Sequence, residues 1–346
     1  MDQPMTMGDP LAPLTWARAF STWRFSPVTA ALLALALLVY LGGVVAARRG
    51  GTRWPLARTV AFTAGLAVAG AAIMGSPGVY GDGGLLWVHM IEHLMLIMVS
   101  PWLLCLGHPE TLLLRATRGA ARDRVESIRA SWFVRAVRSP LTGLAGYAAV
   151  LFGVHLSAFM DVMMGSPGLM ALERALYLGG GYLYFSRLLT SDSPQVELPY
   201  PLRLFSLFMG MSADTIVGIV LLQAIHPPFR AYAEMQPSWG PGPLADVHGA
   251  GAVMWIGGDG LMFVMMLVVA ARWLTDRSPQ AARAGAFLES VRQATLAGTG
   301  HDASGNTPDQ NRERLRASGD VDEDDAALAA YNAILADLNR APRDGR

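Results

Sequence analysis

Three side chains capable of acid–base or metal chemistry, His89, Glu92 and His93, sit inside one otherwise apolar stretch running from Trp87 to Pro101. Spacings of three and four residues stack them on one face of a helix. Ionisable groups are costly in lipid, so such a face is expected to look into protein or water and is a functional candidate by default. The competing reading is three polar groups near a membrane surface reaching for water. His89-Met90-Ile91-Glu92-His93 also matches H-x-x-E-H, the inverted zinc-peptidase motif, with two His on zinc and Glu as general base. The match is three positions long, and the sequence identifies neither the third protein ligand nor the water-filled cleft such enzymes need.

The elements that would carry this face are set by composition. The 346 residues are 52% hydrophobic and 16% charged, with 37 Gly and a mean hydropathy of +0.33, the make-up of a multi-span membrane protein in a lipid bilayer. Net charge is zero, and nothing directs the chain to nucleic acid. Every basic residue is Arg, so lysine Schiff-base chemistry, and with it a retinal protein, is excluded. Cys105 is the single cysteine, so a metal site must rest mainly on His, Met, Asp or Glu.

Residues 1–26 read as an interfacial segment with Trp16, Phe20, Trp23 and Phe25 among Arg18 and Arg24. The first apolar run lacks a small-residue cleavage site and reads as a retained span. Residues 27–275 read as an all-α domain of seven transmembrane helices, roughly Pro27 to Ala47, Leu56 to Met74, Leu85 to Leu106, Pro140 to Phe159, Gly168 to Leu189, Leu202 to Ala224 and Gly249 to Trp273. Arg residues crowd the loops after spans one, three and seven and are nearly absent from the others, which puts the N-terminus outside and the C-terminus in the cytoplasm. Residues 276–346 read as a cytoplasmic tail, partly disordered, with an amphipathic helix after Asp322.

On this map His89, His93, His155, His226 and His248, from four spans or their edges, fall at one level near the outer face. Imidazole is the commonest neutral metal ligand, and Met90, Met160, Met163, Met164 and Met170 at the same level would add a preference for Cu(I). The competing readings are hydrogen-bonded interfacial histidines and methionine as core filler. Glu92, Asp161 and Asp246 would orient the imidazoles as acceptors. Asp214 and Asp259 lie deeper, each about ten residues or roughly 15 Å from the outer end, where they could share a proton or a partner. Alternatively, Asp259 satisfies backbone opened by Gly257, Gly258 and Gly260.

From Leu38 onward, over about 240 residues, the chain resembles the bacterial integral-membrane CtaG family, seven-span assembly factors of the caa-type haem-copper cytochrome c oxidase. The resemblance is carried by Tyr40-Leu41-Gly42, Trp54-Pro55, Ser76-Pro77 with Tyr80, and above all His89-Met90, His93-Leu94 and Ser100-Pro101 with Leu106-Gly107. Later matches are His155 to Asp161, Asp192-Ser193-Pro194, and Asp246 with Met254-Trp255. It implies a multi-pass protein of the cell (inner) membrane that acts with oxidase subunits and delivers or inserts copper from the outer side. The chain departs from the family pattern at Glu92 and His248, where Gln is usual, and at Arg174 and Asp214, where His is often found.

The expectation is therefore an outer His/Met/carboxylate cup that binds copper transiently, with His89 and His93 at its core, His155 and His248 next, and His226 beyond. No catalytic residue is assigned. The rival readings are a metal-free scaffold for oxidase subunits, a bis-His haem protein, and a zinc peptidase with Glu92 as base.

Overall fold

A computed structural model describes residues 11–137, 139–189 and 198–275. Among the described residues the elements are helices and there is no strand. The chain divides into two compact units, residues 1–271 and 272–346, and everything that positions the site lies in the first. The expected tail helix and the Asp192-Ser193-Pro194 match lie outside the described residues.

Helix α1 (Trp16–Ser21) precedes α2 (Pro27–Arg49) and α3 (Leu56–Met74), and α4 (Ser76–Asp82) follows α3 after a break at Gly75. Helix α5 (Leu86–Leu94) passes through a π-helical turn, Met95–Val99, into α6 (Ser100–Leu106). Short helices α7 (Pro109–Ala116), α8 (Ala120–Ala130) and α9 (Trp132–Val137) lead to α10 (Pro140–His155). Then come α11 (Phe159–Met164), α12 (Pro167–Leu189), α13 (Tyr200–Leu222) and α14 (Arg230–Met235). Finally α15 (Pro243–Ala252) runs through a second π-helical turn, Val253–Gly258, into α16 (Asp259–Thr275).

Helix starts follow local chemistry. Ser26 and Ser139 each accept from a backbone N–H three residues on, and each is followed by a proline in the first turn, which satisfies an orphan donor and presets the backbone. All seven expected segments are helical. Five helical runs, Pro27–Arg49, Leu56–Asp82, Leu86–Ala116, Tyr200–Leu222 and Pro243–Thr275, are long and apolar enough to cross a membrane. Of the other two, α10 has 16 residues and α12 is interrupted by Glu173 and Arg174.

Burial sorts these runs. The apolar window of Leu86–Ala116 is 67% buried and that of Pro27–Arg49 only 17%. The run carrying His89 is thus the packed centre, with α3 and α12 against α6 and α15 against α5. Helix α2 instead shows Val28, Leu32, Leu35, Leu38 and Val39 outward. Apolar side chains exposed in rows of this kind suit lipid and not water, and the protein is a multi-pass membrane protein. At Gly181 of α12 a side chain would fall on the Ile97 carbonyl in the π-helical turn, so glycine lets α12 approach the site helix closely.

Candidate metal centre

Helix α5 is aligned from across the molecule. Its first N–H groups have no partners within the helix, and Asp246 of α15 takes two of them, from Leu86 and Trp87, at 2.9 Å each. The carboxylate at a helix N-terminus is also favoured by the helix dipole. Asp246, expected to orient an imidazole, instead holds the helix that carries three of the site residues. Gln236 donates to the same carboxylate at 3.1 Å.

Within α5 the one-face expectation holds, since His89, Glu92 and His93 are all buried, with no more than 1% exposed. They meet His155 from the end of α10 and Glu173 from α12, and these too are buried. His93 Nδ1 lies 3.3 Å from His155 Nε2, and His93 Nε2 lies 3.1 Å from Glu173 Oε1. His89 Nε2 is 3.5 Å from Glu173 Oε2, and its Nδ1 is 3.6 Å from Glu92 Oε2. The His93 ring stacks on Tyr177, centroids 4.0 Å apart.

The hydrogen-bond network assigns the tautomer of His155. His155 Nδ1 is 2.9 Å from the Leu151 carbonyl; a carbonyl only accepts, so Nδ1 carries the hydrogen and Nε2 is bare. His93 then has two choices: Nε2–H donates to Glu173, or Nδ1–H donates to His155 and Nε2 turns a lone pair to the carboxylate. Two acceptors 3.1 Å apart in a dry site repel unless a cation, a proton or a metal ion, lies between them. His89 sets Nε2 3.5 Å from Glu173 and Nδ1 3.6 Å from Glu92, both just beyond hydrogen-bond distance.

Among the described residues, two groups of side chains are close enough to share an ion. His89, His93 and Glu173 form one, and Asp82, His89 and Glu92 form the other. In a tetrahedral site with bonds of about 2.0–2.2 Å, neighbouring ligand atoms are roughly 3.4 Å apart. His93 Nε2 and His89 Nε2 lie 3.1 and 3.5 Å from different oxygens of Glu173, and with one atom from each residue the three ligand atoms lie within 4.8 Å of one another; two imidazoles with a carboxylate suit divalent copper or zinc. The Met90 thioether, 3.2 Å from His155 Nε2, adds a soft donor beside the group. His155 stands behind His93 as the group that fixes its ring, a familiar arrangement around metal-bound histidine.

Glu173 was not among the expected site residues, and it stands where a third ligand to H-x-x-E-H would be needed. Glu92, however, is held by Arg174, whose Nε is 2.6 Å from Oε1. A carboxylate neutralised by an adjacent guanidinium is a poor general base. No porphyrin fits between imidazoles in direct contact, as His93 and His155 are.

The remaining expected residues lie elsewhere. His248 Nε2 bonds the Ala224 carbonyl at 3.0 Å and His226 is exposed; among the described residues neither joins a group able to share an ion. Asp161 accepts from the Ala231 backbone at 3.0 Å and so fixes α14, whose Tyr232 ring lies 5.6 Å from His89. Burial, with Glu173 and Asp82 nearby, pushes the Tyr232 phenol well up, so it stays neutral. Asp214 Oδ2 accepts from the Tyr147 hydroxyl at 2.8 Å. Asp259 Oδ2 lies 2.8 Å from the Thr215 hydroxyl, so it serves a side chain and not the opened backbone.

Residues 38–276 match the family described as cytochrome c oxidase caa3 assembly factor. Among curated proteins, the chain is 27% identical over 342 residues to an uncharacterized protein of Mycobacterium bovis and to another of Mycobacterium tuberculosis. It is 27% identical over 338 residues to an uncharacterized protein of Mycobacterium leprae. These matches take in 96%, 96% and 94% of the chain but 46% of each relative, so the chain spans about half the length of the curated relatives it matches. No solved structure gives a significant match.

Proposed function

The chain belongs to the cytochrome c oxidase caa3 assembly-factor family, and from that premise we propose that it carries copper to the oxidase through His89, His93 and Glu173. The ion is cargo, held transiently and passed to an oxidase subunit; zinc is the competing occupant for the same two imidazoles and carboxylate. The protein crosses the cell membrane seven times with its N-terminus outside, so the site faces the outer side and the Arg-rich loops face the cytoplasm.

One observation carries this reading, the convergence of two imidazoles and a carboxylate, His89, His93 and Glu173, in a dry interior with His93 Nε2 3.1 Å from Glu173 Oε1. Buried ionisable groups gathered in this way are a ligand set for a metal cation. His155 and Tyr177 hold the His93 ring in that attitude.

The test is metal analysis of purified wild type and a His89→Ala, His93→Ala double variant, alongside oxidase activity in cells lacking the native protein. The expected result is copper in the wild type, loss of copper in the variant, and loss of oxidase activity with it. A variant that matures the oxidase fully without metal would replace this reading with the metal-free scaffold.

A further inference from the structure

His89 turns one ring nitrogen toward each of the two groups described above. Nε2 faces Glu173 in the inner group, and Nδ1 faces Glu92 in the outer one. The outer group is the one that reaches open space. Asp82 and Arg174 line a cavity of about 890 Å³ together with Arg24, Met170 and Trp239. Arg24 and Arg174 side chains are 39% and 16% exposed, against 1% for His89 and Glu173. A continuous series of polar contacts therefore runs from the cavity through Asp82, Arg174, Glu92 and His89 to Glu173.

What fills the outer group is a guanidinium. Arg174 Nη2 lies 2.8 Å from Asp82 Oδ1, its Nε lies 2.6 Å from Glu92 Oε1, and Arg24 pairs with Asp82 from the other side. The protein thus supplies its own cation between two carboxylates, while the buried Nδ1 of His89 beside them has no hydrogen-bond partner. Two carboxylates and a free imidazole nitrogen are a ligand set for a metal cation, and the arginine side chain that occupies their midst is long, hinged and partly in the cavity. At Gly81 of α4 a side chain would come within 3.2 Å of His89 Cβ and Nδ1, so glycine keeps Asp82 and its helix close to that nitrogen.

We propose that Asp82, Glu92 and His89 Nδ1 form an entrance site for the metal cation, held shut by Arg174, from which the ion passes to His89 Nε2, His93 and Glu173. This rests on the copper-carrying reading of the inner group. An incoming cation displaces the guanidinium from Glu92, binds in its place, and crosses the His89 ring to the inner group. Arg174, swung into the cavity and no longer paired with Glu92, is the gate. Each ring nitrogen is bare when it takes the ion: His89 Nε2 gives its proton up and Nδ1 takes one as the ion passes from Nδ1 to Nε2, and protons displaced by loading go to solvent.

The experiment measures the rate of Cu(II) uptake by detergent-purified, metal-free full-length protein, and separately the modification of histidines by diethylpyrocarbonate read by mass spectrometry. Asp82→Asn weakens attraction at the entrance, and Arg174→Gln removes the gate. Uptake is expected to slow about tenfold in the first and to quicken about tenfold in the second, the scale on which local charge changes the capture of ions. In Arg174→Gln, His89 becomes modified while in wild type it is protected. Arg174→Lys, which keeps a cation for the two carboxylates, serves if the Gln variant does not fold, and its uptake is expected to lie between those of wild type and Gln.

Equal uptake rates in all variants, or a His89 still protected in Arg174→Gln, would overturn the entrance site and leave the inner group standing. A wild type that takes up no metal at all would instead remove the copper reading on which the entrance depends.

Discussion

Two polar clusters lie inside this protein, and they solve the cost of burial in different ways. In the deeper one, a hydroxyl reaches each carboxylate, Tyr147 to Asp214 and Thr215 to Asp259, at 2.8 Å, and no hydrogen bond among the described residues joins the two acids. In the outer one, His89 and His93 turn ring nitrogens to within 3.1–3.6 Å of Glu92 and Glu173, and His155 stands 3.3 Å behind His93. Donor-to-acceptor pairing answers a structural need. Asp214 and Asp259 each keep one buried oxygen without a hydrogen-bond partner, but among the described residues only the outer cluster sets imidazole and carboxylate atoms close enough to share an ion.

If that contrast is sound, variants of the two clusters separate widely. The largest effect belongs to the His89→Ala, His93→Ala protein, which removes two of three ligands and is expected to hold less than about a tenth of the wild-type copper. Next is the proton balance. A metal ion binds only a bare ring nitrogen, so loading copper in weak buffer should release protons, measurable with a pH indicator; a pH that does not fall would place the metal elsewhere. His155→Ala frees the His93 ring and should weaken copper binding by about 10–100-fold, the usual cost of losing a group that orients a ligand, as read by competition with a chelator.

The other region should respond weakly. In Asp214→Asn the side-chain carbonyl still accepts from Tyr147, so copper content should equal that of wild type and stability should shift by about 1 kcal/mol or less. Loss of copper in this variant would tie the deep carboxylates to the metal after all. The smallest effect is expected from His226→Ala with His248→Ala, where one bond to a carbonyl is lost and metal content stays level.

How much of this could be read in advance varies by residue. Helical spacing alone put His89, Glu92 and His93 on one buried face, and the distribution of Arg among the loops set His155 at their depth. Depth fixes a level but not a bearing around the bundle, which is why His226 and His248 shared the level yet stand apart. Asp246 and Asp161 were chosen as acceptors for imidazole, but in the structure they take backbone N–H groups, because the first turns of α5 and α14 have donors with no partners in their own helices.

The depth rule that places the histidines, methionines and aspartates was not extended to Glu173. Five residues into the fifth expected span, it sits at the same outer level, and the same rule applied to every ionisable side chain would have found it. Asp82 was hidden as one residue of an outer loop. Glu92 and Arg174, two of the positions expected to depart from the family pattern, are one another's partners at 2.6 Å.

The claim on which the account rests is that two imidazoles and one carboxylate close around a single ion. X-ray absorption at the copper edge of the loaded, purified protein tests it most directly. Two imidazole nitrogens and an oxygen at about 2 Å, with one imidazole lost in His93→Ala, is the result expected. A shell made of sulfur, or one unchanged in His93→Ala, would contradict it.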